Sequence, residues 1–248
     1  MFNFFVDEAK RQGDIFYIDG ADFNHIKNVL RMRTGDELLV SCLGTSHLCT
    51  IESLDGDTAA VRIEKENYRT TELPVEIILF QGLPKADKME LIIQKTVELG
   101  ISKIYPVEMN RCVVKLDEKK KNAKQSRWQA IAESAAKQSK RNTIPEIGEV
   151  LTYKQLLQEA EKLDLFLIPY ENKNGMLATK AALNEIKSGM KIGILIGPEG
   201  GFEESEIDAA ESAGGKTVSL GARILRTETA AITATAMCML HIEMGETE

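Results

Sequence analysis

Apolar and polar positions follow two rhythms along this chain, and the change falls near residue 70. Before it, short runs rich in β-branched and aromatic residues recur at 2–6, 14–18, 36–42, 46–53 and 58–64. Turn signals separate them at Gly13 and Asp14, Asp19 and Gly20, Gly35 and Asp36, and Asp55 to Asp57. Strand-length runs with frequent turns predict a small β-barrel over residues 1–70. One helix interrupts it over 21–36, with Phe23, Ile26, Val29 and Leu30 on an apolar face. Arg31 and Arg33 end that helix, where the dipole favours cations; they serve either that purpose or an RNA contact.

The polar stretch 67–74 reads as a linker, and from 75 to 248 strands alternate with helices. Residues 75–83 are almost continuously apolar, as in a strand covered on both faces. Helical periodicity follows over 88–99, 126–139, 152–163 and 176–186, with strands at 102–109, 164–171 and 191–196 between them. In the second helix Trp128, Ile131, Ala132, Ala135 and Ala136 share a face. The opposite face carries Arg127, Ser134, Gln138 and Arg141. Trp128 reads as core rather than as a stacking platform. The fold class is therefore α/β: a C-terminal domain with a mostly parallel sheet, preceded by a small barrel. Ligands belong at the carboxyl ends of such strands.

Three strand ends supply candidates: Ile168 to Glu171, the GPEGG turn at 197–201, and Leu220 with Gly221. Neither a P-loop nor a dinucleotide GxGxxG is present. In GPEGG, Gly200 and Gly201 allow close backbone approach while Pro198 stiffens the turn. Glu203 and Glu204 then open a helix, which is unfriendly to phosphate. Adenosine held by backbone amides, beside a cationic sulfur, suits this turn better than a nucleotide phosphate. The second turn, LGARILRTETAA, crowds Arg223, Arg226 and Glu228 at a helix start that Thr227 or Thr229 could cap.

Charge changes the picture only locally. The chain totals −7, but 115–141 holds nine Lys or Arg against three acids, a net +6 that leaves −13 elsewhere. Such a patch suits RNA at one face and equally suits a solvated helix. Four cysteines and three histidines match no metal template and no dense disulfide framework, so reduced thiols, a cytoplasmic location and no metal are expected. The N-terminus does not read as a signal peptide, and no apolar run has the length of a membrane span.

LIGPEGGFEESEI followed by VSLGARILRTETAA closely resembles the C-terminal motifs of SPOUT-class methyltransferases, and of the RsmE family in particular. The resemblance extends to LPKADKMELIIQKTVELGISKIYPV, NRCVVK, RWQAIAESAAKQSKRNTIPEI and HIKNVLRMRTGD, essentially the whole chain. It implies a PUA-like RNA-binding barrel (1–70) and a SPOUT domain (75–248) with a deep trefoil knot and an S-adenosylmethionine site. It further implies a homodimer that methylates N3 of one uridine near the 3′ end of 16S rRNA in the assembled 30S subunit.

Carried onto this chain, the cofactor loops are 167–171, 196–201 and 220–230. The expected cofactor residues are Leu167, Ile168, Pro169, Ile196, Gly197, Pro198, Gly200, Gly201, Leu220, Gly221, Ile224, Leu225, Thr227 and Ala230. Arg226 would stabilise the uridinate oxygen or a flanking phosphate, and Glu199 or Glu228 would be the base. Arg31, Arg33, Arg111, Lys137, Gln138 and Arg141 are the expected RNA contacts. The chain departs from the family pattern at Asn3, where arginine is usual, and at Ala86 and Lys140, where glycine is common. A ribosome-assembly factor with a vestigial pocket and a tRNA-directed SPOUT enzyme are the competing readings.

Overall fold

The computed structural model describes residues 1–170 and 175–245. The chain divides into two compact units: residues 1–72 with 136–144, and residues 73–135 with 145–248.

The first unit is built on strands β1 (Asn3–Phe5), β2 (Arg11–Gln12), β3 (Ile15–Asp19), β4 (Glu37–Cys42), β5 (Thr45–Asp55) and β6 (Thr58–Arg69). They form one sheet in the order β1-β4-β5-β6-β3-β2, antiparallel except for the β1–β4 pair. Alternate residues such as Phe16, Ile18, Leu38, Val40, Cys49, Ile51, Ala59 and Val61 pack into its core. The helix expected over 21–36 is shorter and changes type. α1 (Gly20–Asn24) passes into a π-turn over His25–Val29, and Arg31 at φ +54° ends it. The wider π-turn shifts the helical phase. Phe23 and Ile26 remain buried, but Val29, expected on the apolar face, is 61% exposed.

Several of the bonds that hold residues 136–144 on this unit converge on one acid. Glu72 accepts from Arg141 Nε at 3.2 Å and from Arg141 Nη2, and also from the backbone amide of Asn142 at 2.7 Å. Burial pushes the Glu72 carboxyl up, but the Arg141 guanidinium and these further donors outweigh it and hold it below the usual carboxylate range. Asn3 completes the hub: its Nδ2 donates to the Arg141 carbonyl at 3.0 Å, and its Oδ1 accepts from Ser41 Oγ at 3.0 Å.

The second unit is a parallel sheet of strands β7 (Glu76–Gly82), β8 (Lys103–Glu108), β9 (Glu146–Ile147), β10 (Leu151–Thr152), β11 (Leu165–Pro169), β12 (Lys191–Ile196) and β13 (Lys216–Val218). The order is β10-β8-β7-β12-β11-β13, with β9 also on β8. Its helices are α2 (Lys88–Glu98), α3 (Glu118–Ser139, whose last turn belongs to the first unit), α4 (Tyr153–Ala160), α5 (Gly175–Leu183), α6 (Glu204–Ser212) and α7 (Thr227–Gly245). β7 and β12 lie centrally and are buried along almost their whole length, which accounts for their continuous apolar sequence. Trp128 is 3% exposed and lies in the core.

Cys42, Cys49 and Cys238 are buried free thiols, pushed up to about 12, chiefly by burial. Among the described residues no cluster of His, Cys, Asp and Glu could hold a metal ion, and no helix is long and apolar enough to cross a membrane.

Candidate active site

A cavity of about 1070 Å³ opens at the carboxyl ends of β11, β12 and β13, a volume that admits a cofactor-sized ligand. Its walls are the residues just after β11, the 196–202 turn, and the loop 219–227 that leads into α7; Lys88, Arg111 and Met176 complete the rim. The location follows from the parallel sheet, whose strand ends point their loops to one side.

Each loop is shaped by a local constraint. A Cβ on Gly200 would lie 2.8 Å from Arg111 Cβ and 3.0 Å from its carbonyl oxygen, so the bare backbone there makes room for Arg111. Arg111 Nη1 also donates to the Gly200 carbonyl at 3.3 Å. In the second loop Gly221 sits at φ +109°, a conformation that favours glycine. Thr179 anchors the start of that loop, donating to Ser219 O and accepting from Ser219 N, both at 2.9 Å.

The two loops meet beneath the cavity. Thr227 Oγ1 donates to the Gly197 carbonyl at 2.7 Å and accepts from Gln81 Nε2 at 2.9 Å. At the start of α6 the buried Glu206 carboxylate accepts from the backbone amides of Glu203 at 2.9 Å and Asn110 at 3.0 Å. That helix start already holds an anion of the chain's own, which leaves it ill-suited to a phosphate.

A cation links the two acids expected to act as base. Lys88 Nζ stands 3.0 Å from Glu199 Oε1 and 3.4 Å from Glu228 Oε2. Glu199 also accepts from the backbone amide of Lys85 at 3.0 Å. Burial pushes the Glu199 carboxyl up, but the Lys85 amide and the Lys88 ammonium outweigh it, and the group ends below its ordinary value. Glu199 is therefore firmly anionic and weakly basic. The Lys88 ammonium is raised, first by its bond to Glu199.

Most of the sequence-derived candidates come together here. Pro169, Ile196, Gly197, Pro198, Gly200, Gly201, Leu220, Gly221, Ile224, Leu225, Thr227 and Ala230 line the cavity, as do Glu199, Arg226 and Arg111. Leu167 and Ile168 are buried within β11 and do not reach it, and Glu171 lies outside the described residues. Glu228 is absent from the wall and touches it through Lys88.

The remaining candidates lie on the first unit. There Arg31, Arg33 and Gln138 are exposed, Lys137 pairs with Asp22 at 2.9 Å, and Arg141 is 3% exposed and bound to Glu72. Lys88, Met176 and Ser219 are wall residues outside the cofactor loops expected from the sequence, whereas Tyr170 lies within the expected 167–171 loop. Lys88 and Ser219 carried a signal, through their places in the LPKADKMEL and VSLGARILRTETAA motifs.

Fold and cavity together define an α/β protein with a ligand cavity at its strand ends and a separate β-rich unit. A family model described as an RNA methyltransferase domain matches residues 71–239, and one described as an RNA methyltransferase PUA domain matches 18–64. The ribosomal RNA small subunit methyltransferase E of Bacillus subtilis is 37% identical over 98% of each chain, and that of Mesomycoplasma hyopneumoniae is 34% identical over 96% of this chain and 99% of its own. The crystal structure of a ribosomal RNA small subunit methyltransferase E from Neisseria gonorrhoeae bound to S-adenosyl methionine is 34% identical, covers 96% of both chains and superposes with a TM-score of 0.78. This chain belongs to the ribosomal RNA small subunit methyltransferase E family.

Proposed function

We propose that this protein transfers the methyl group of S-adenosylmethionine to N3 of a single uridine near the 3′ end of 16S rRNA, with the assembled 30S subunit as substrate. The observation that carries the reading is the single cavity walled by both glycine turns. Its chemistry suits this cofactor: Ile196, Leu220 and Leu225 offer apolar contact for an adenine, and the carboxylate of Glu199 suits a nearby cationic sulfur. The start of α6, which follows the 196–202 turn, already holds Glu206 and does not invite phosphate.

When bound, the cofactor supplies an electrophilic methyl group. The chain's task is orientation, which can account for most of the acceleration of an in-line displacement. Arg226, exposed at the lip, stabilises the oxygen of the uridinate as N3 loses its proton. Glu199 is the acceptor nearest the cavity, and its weak basicity puts the burden on anion stabilisation. Arg111 lies on the same rim and meets the flanking backbone. In the first unit Arg31, Arg33 and Gln138 supply further RNA contacts, whereas Arg141 shapes the surface through Glu72.

The same reading places the protein in the cytoplasm as a homodimer of two-domain chains (1–70 and 75–248), with a trefoil knot formed by the cofactor loops. Its test is transfer of labelled methyl from S-adenosylmethionine to purified 30S subunits lacking the modification. Stoichiometric transfer to the subunit, and none to tRNA, is expected; transfer to tRNA alone would refute it.

A further inference from the structure

Gln81 lines no part of the cavity, yet the cavity's floor hangs from it. It sits at the end of the central strand β7 and is fully buried. Its Nε2 donates to the Gly82 carbonyl at 2.9 Å and to Thr227 Oγ1 at 2.9 Å, and Thr227 Oγ1 in turn donates to the Gly197 carbonyl at 2.7 Å. The directions are forced by chemistry. A hydroxyl has one proton, which here goes to Gly197, so its contact with Gln81 requires an amide N–H. The opposite amide orientation would set Oε1 against the Gly82 carbonyl.

Gly197 and Thr227 belong to the two different loops that wall the cavity. Pro198 follows the first, and Arg226 precedes the second. Gly82 adds a steric contact to the same joint, because a Cβ there would lie 2.7 Å from both N and Cδ of Pro198. The last two residues of β7 thus fix both loops, Gln81 by hydrogen bonds and Gly82 by shape. Gln81 Oε1, meanwhile, has no hydrogen-bond partner among the described residues. A buried amide with an unmet acceptor is a poor stabiliser, and an apolar side chain of similar volume would pack there without that penalty.

We infer that Gln81 is a positioning residue for methyl transfer, holding the two cofactor loops in register through Thr227 and thereby placing Arg226. The inference rests on reading the cavity as the S-adenosylmethionine site.

The test uses the full chain, with S-adenosylmethionine affinity measured by calorimetry and turnover measured on 30S subunits. Gln81→Met should weaken cofactor binding about tenfold and lower kcat at least as much, while KM for the subunit stays unchanged. Combining it with Thr227→Val should weaken binding no more than the weaker single variant does, because both break one chain of bonds. In Gln81→Glu the affinity should recover as pH falls, since a protonated carboxyl restores the donor. Should Gln81→Met fail to fold, that pH profile decides alone. Unchanged affinity in folded Gln81→Met, or a pH-independent deficit in Gln81→Glu, overturns the role. If the parent protein binds no S-adenosylmethionine, the reading of the cavity fails and this inference with it. If the parent binds and Gln81→Met binds equally well, only the role of Gln81 fails.

Discussion

Arg226 is exposed at the cavity lip, one residue before a threonine whose hydroxyl is fixed on both sides. Replacing it by alanine removes a charge from the cavity lip and leaves the loop bonds in place. Arg226→Ala should therefore abolish methyl transfer while cofactor affinity stays within a few-fold, as read by calorimetry beside a transfer assay; surviving activity on purified subunits would refute this role. The glycine turns were legible in the sequence as ligand loops, but the reason for Gly200 was not. It accommodates Arg111, which no local pattern places 89 residues away.

Two departures from the family pattern now have a physical meaning. Ala86 and Lys140 both adopt left-handed backbone, at φ +52° and +61°, which strains any residue with a Cβ. Ala86→Gly and Lys140→Gly should each stabilise their unit by about 1 kcal/mol in denaturant titrations. A loss of stability would show that these side chains repay the strain. The third departure, Asn3, is buried on Ser41 and the Arg141 carbonyl, a structural place that the sequence comparison did not suggest.

At the scale of elements, periodicity placed most strands and helices, and it failed where tertiary contact decided. The π-turn after α1 could not be read from residue spacing, because Val29 fits an ideal helical face and is turned outward only by the wider turn. The attachment of 136–144 to the first unit includes the pair of Glu72 and Arg141, residues far apart in sequence, and Arg141 read as an exposed helix cation. This hub is pH-sensitive with a definite sign. Glu72 is depressed in the folded state, so its contribution is present above the unfolded value near 4.3 and is lost as pH falls through the folded one. Acid unfolding of the parent should show this loss, and Glu72→Gln should be less stable at neutral pH with a flatter acid limb. An acid limb identical in the two proteins would contradict it.

The basic helix α3 makes a separate prediction. Lys119 and Lys120 are exposed, and Lys120 pairs with a neighbouring acid, Asp117. Replacing Lys119, Lys120 and Lys124 by glutamine should weaken binding to 30S subunits and make the salt dependence less steep. An unchanged salt slope would assign the helix to solvation alone.

For the whole molecule, the two rhythms of the chain foretold a β-rich unit followed by a parallel α/β unit, and the family motifs named the chemistry. What stayed hidden is the wiring that turns separate motifs into one site. Lys88 between two acids, Gln81 beneath two loops and Glu206 against the Asn110 amide all join residues far apart in sequence, brought together by the fold. Sequence shows such side chains as ordinary polar residues. The central claim is that this assembled site methylates N3 of one uridine near the 3′ end of 16S rRNA. Mass spectrometry of 16S rRNA from a strain lacking the protein tests it most directly. Loss of a single methyl group from N3 of that uridine is expected, restored by the parent chain and not by Arg226→Ala. An unchanged 16S rRNA modification pattern would contradict it.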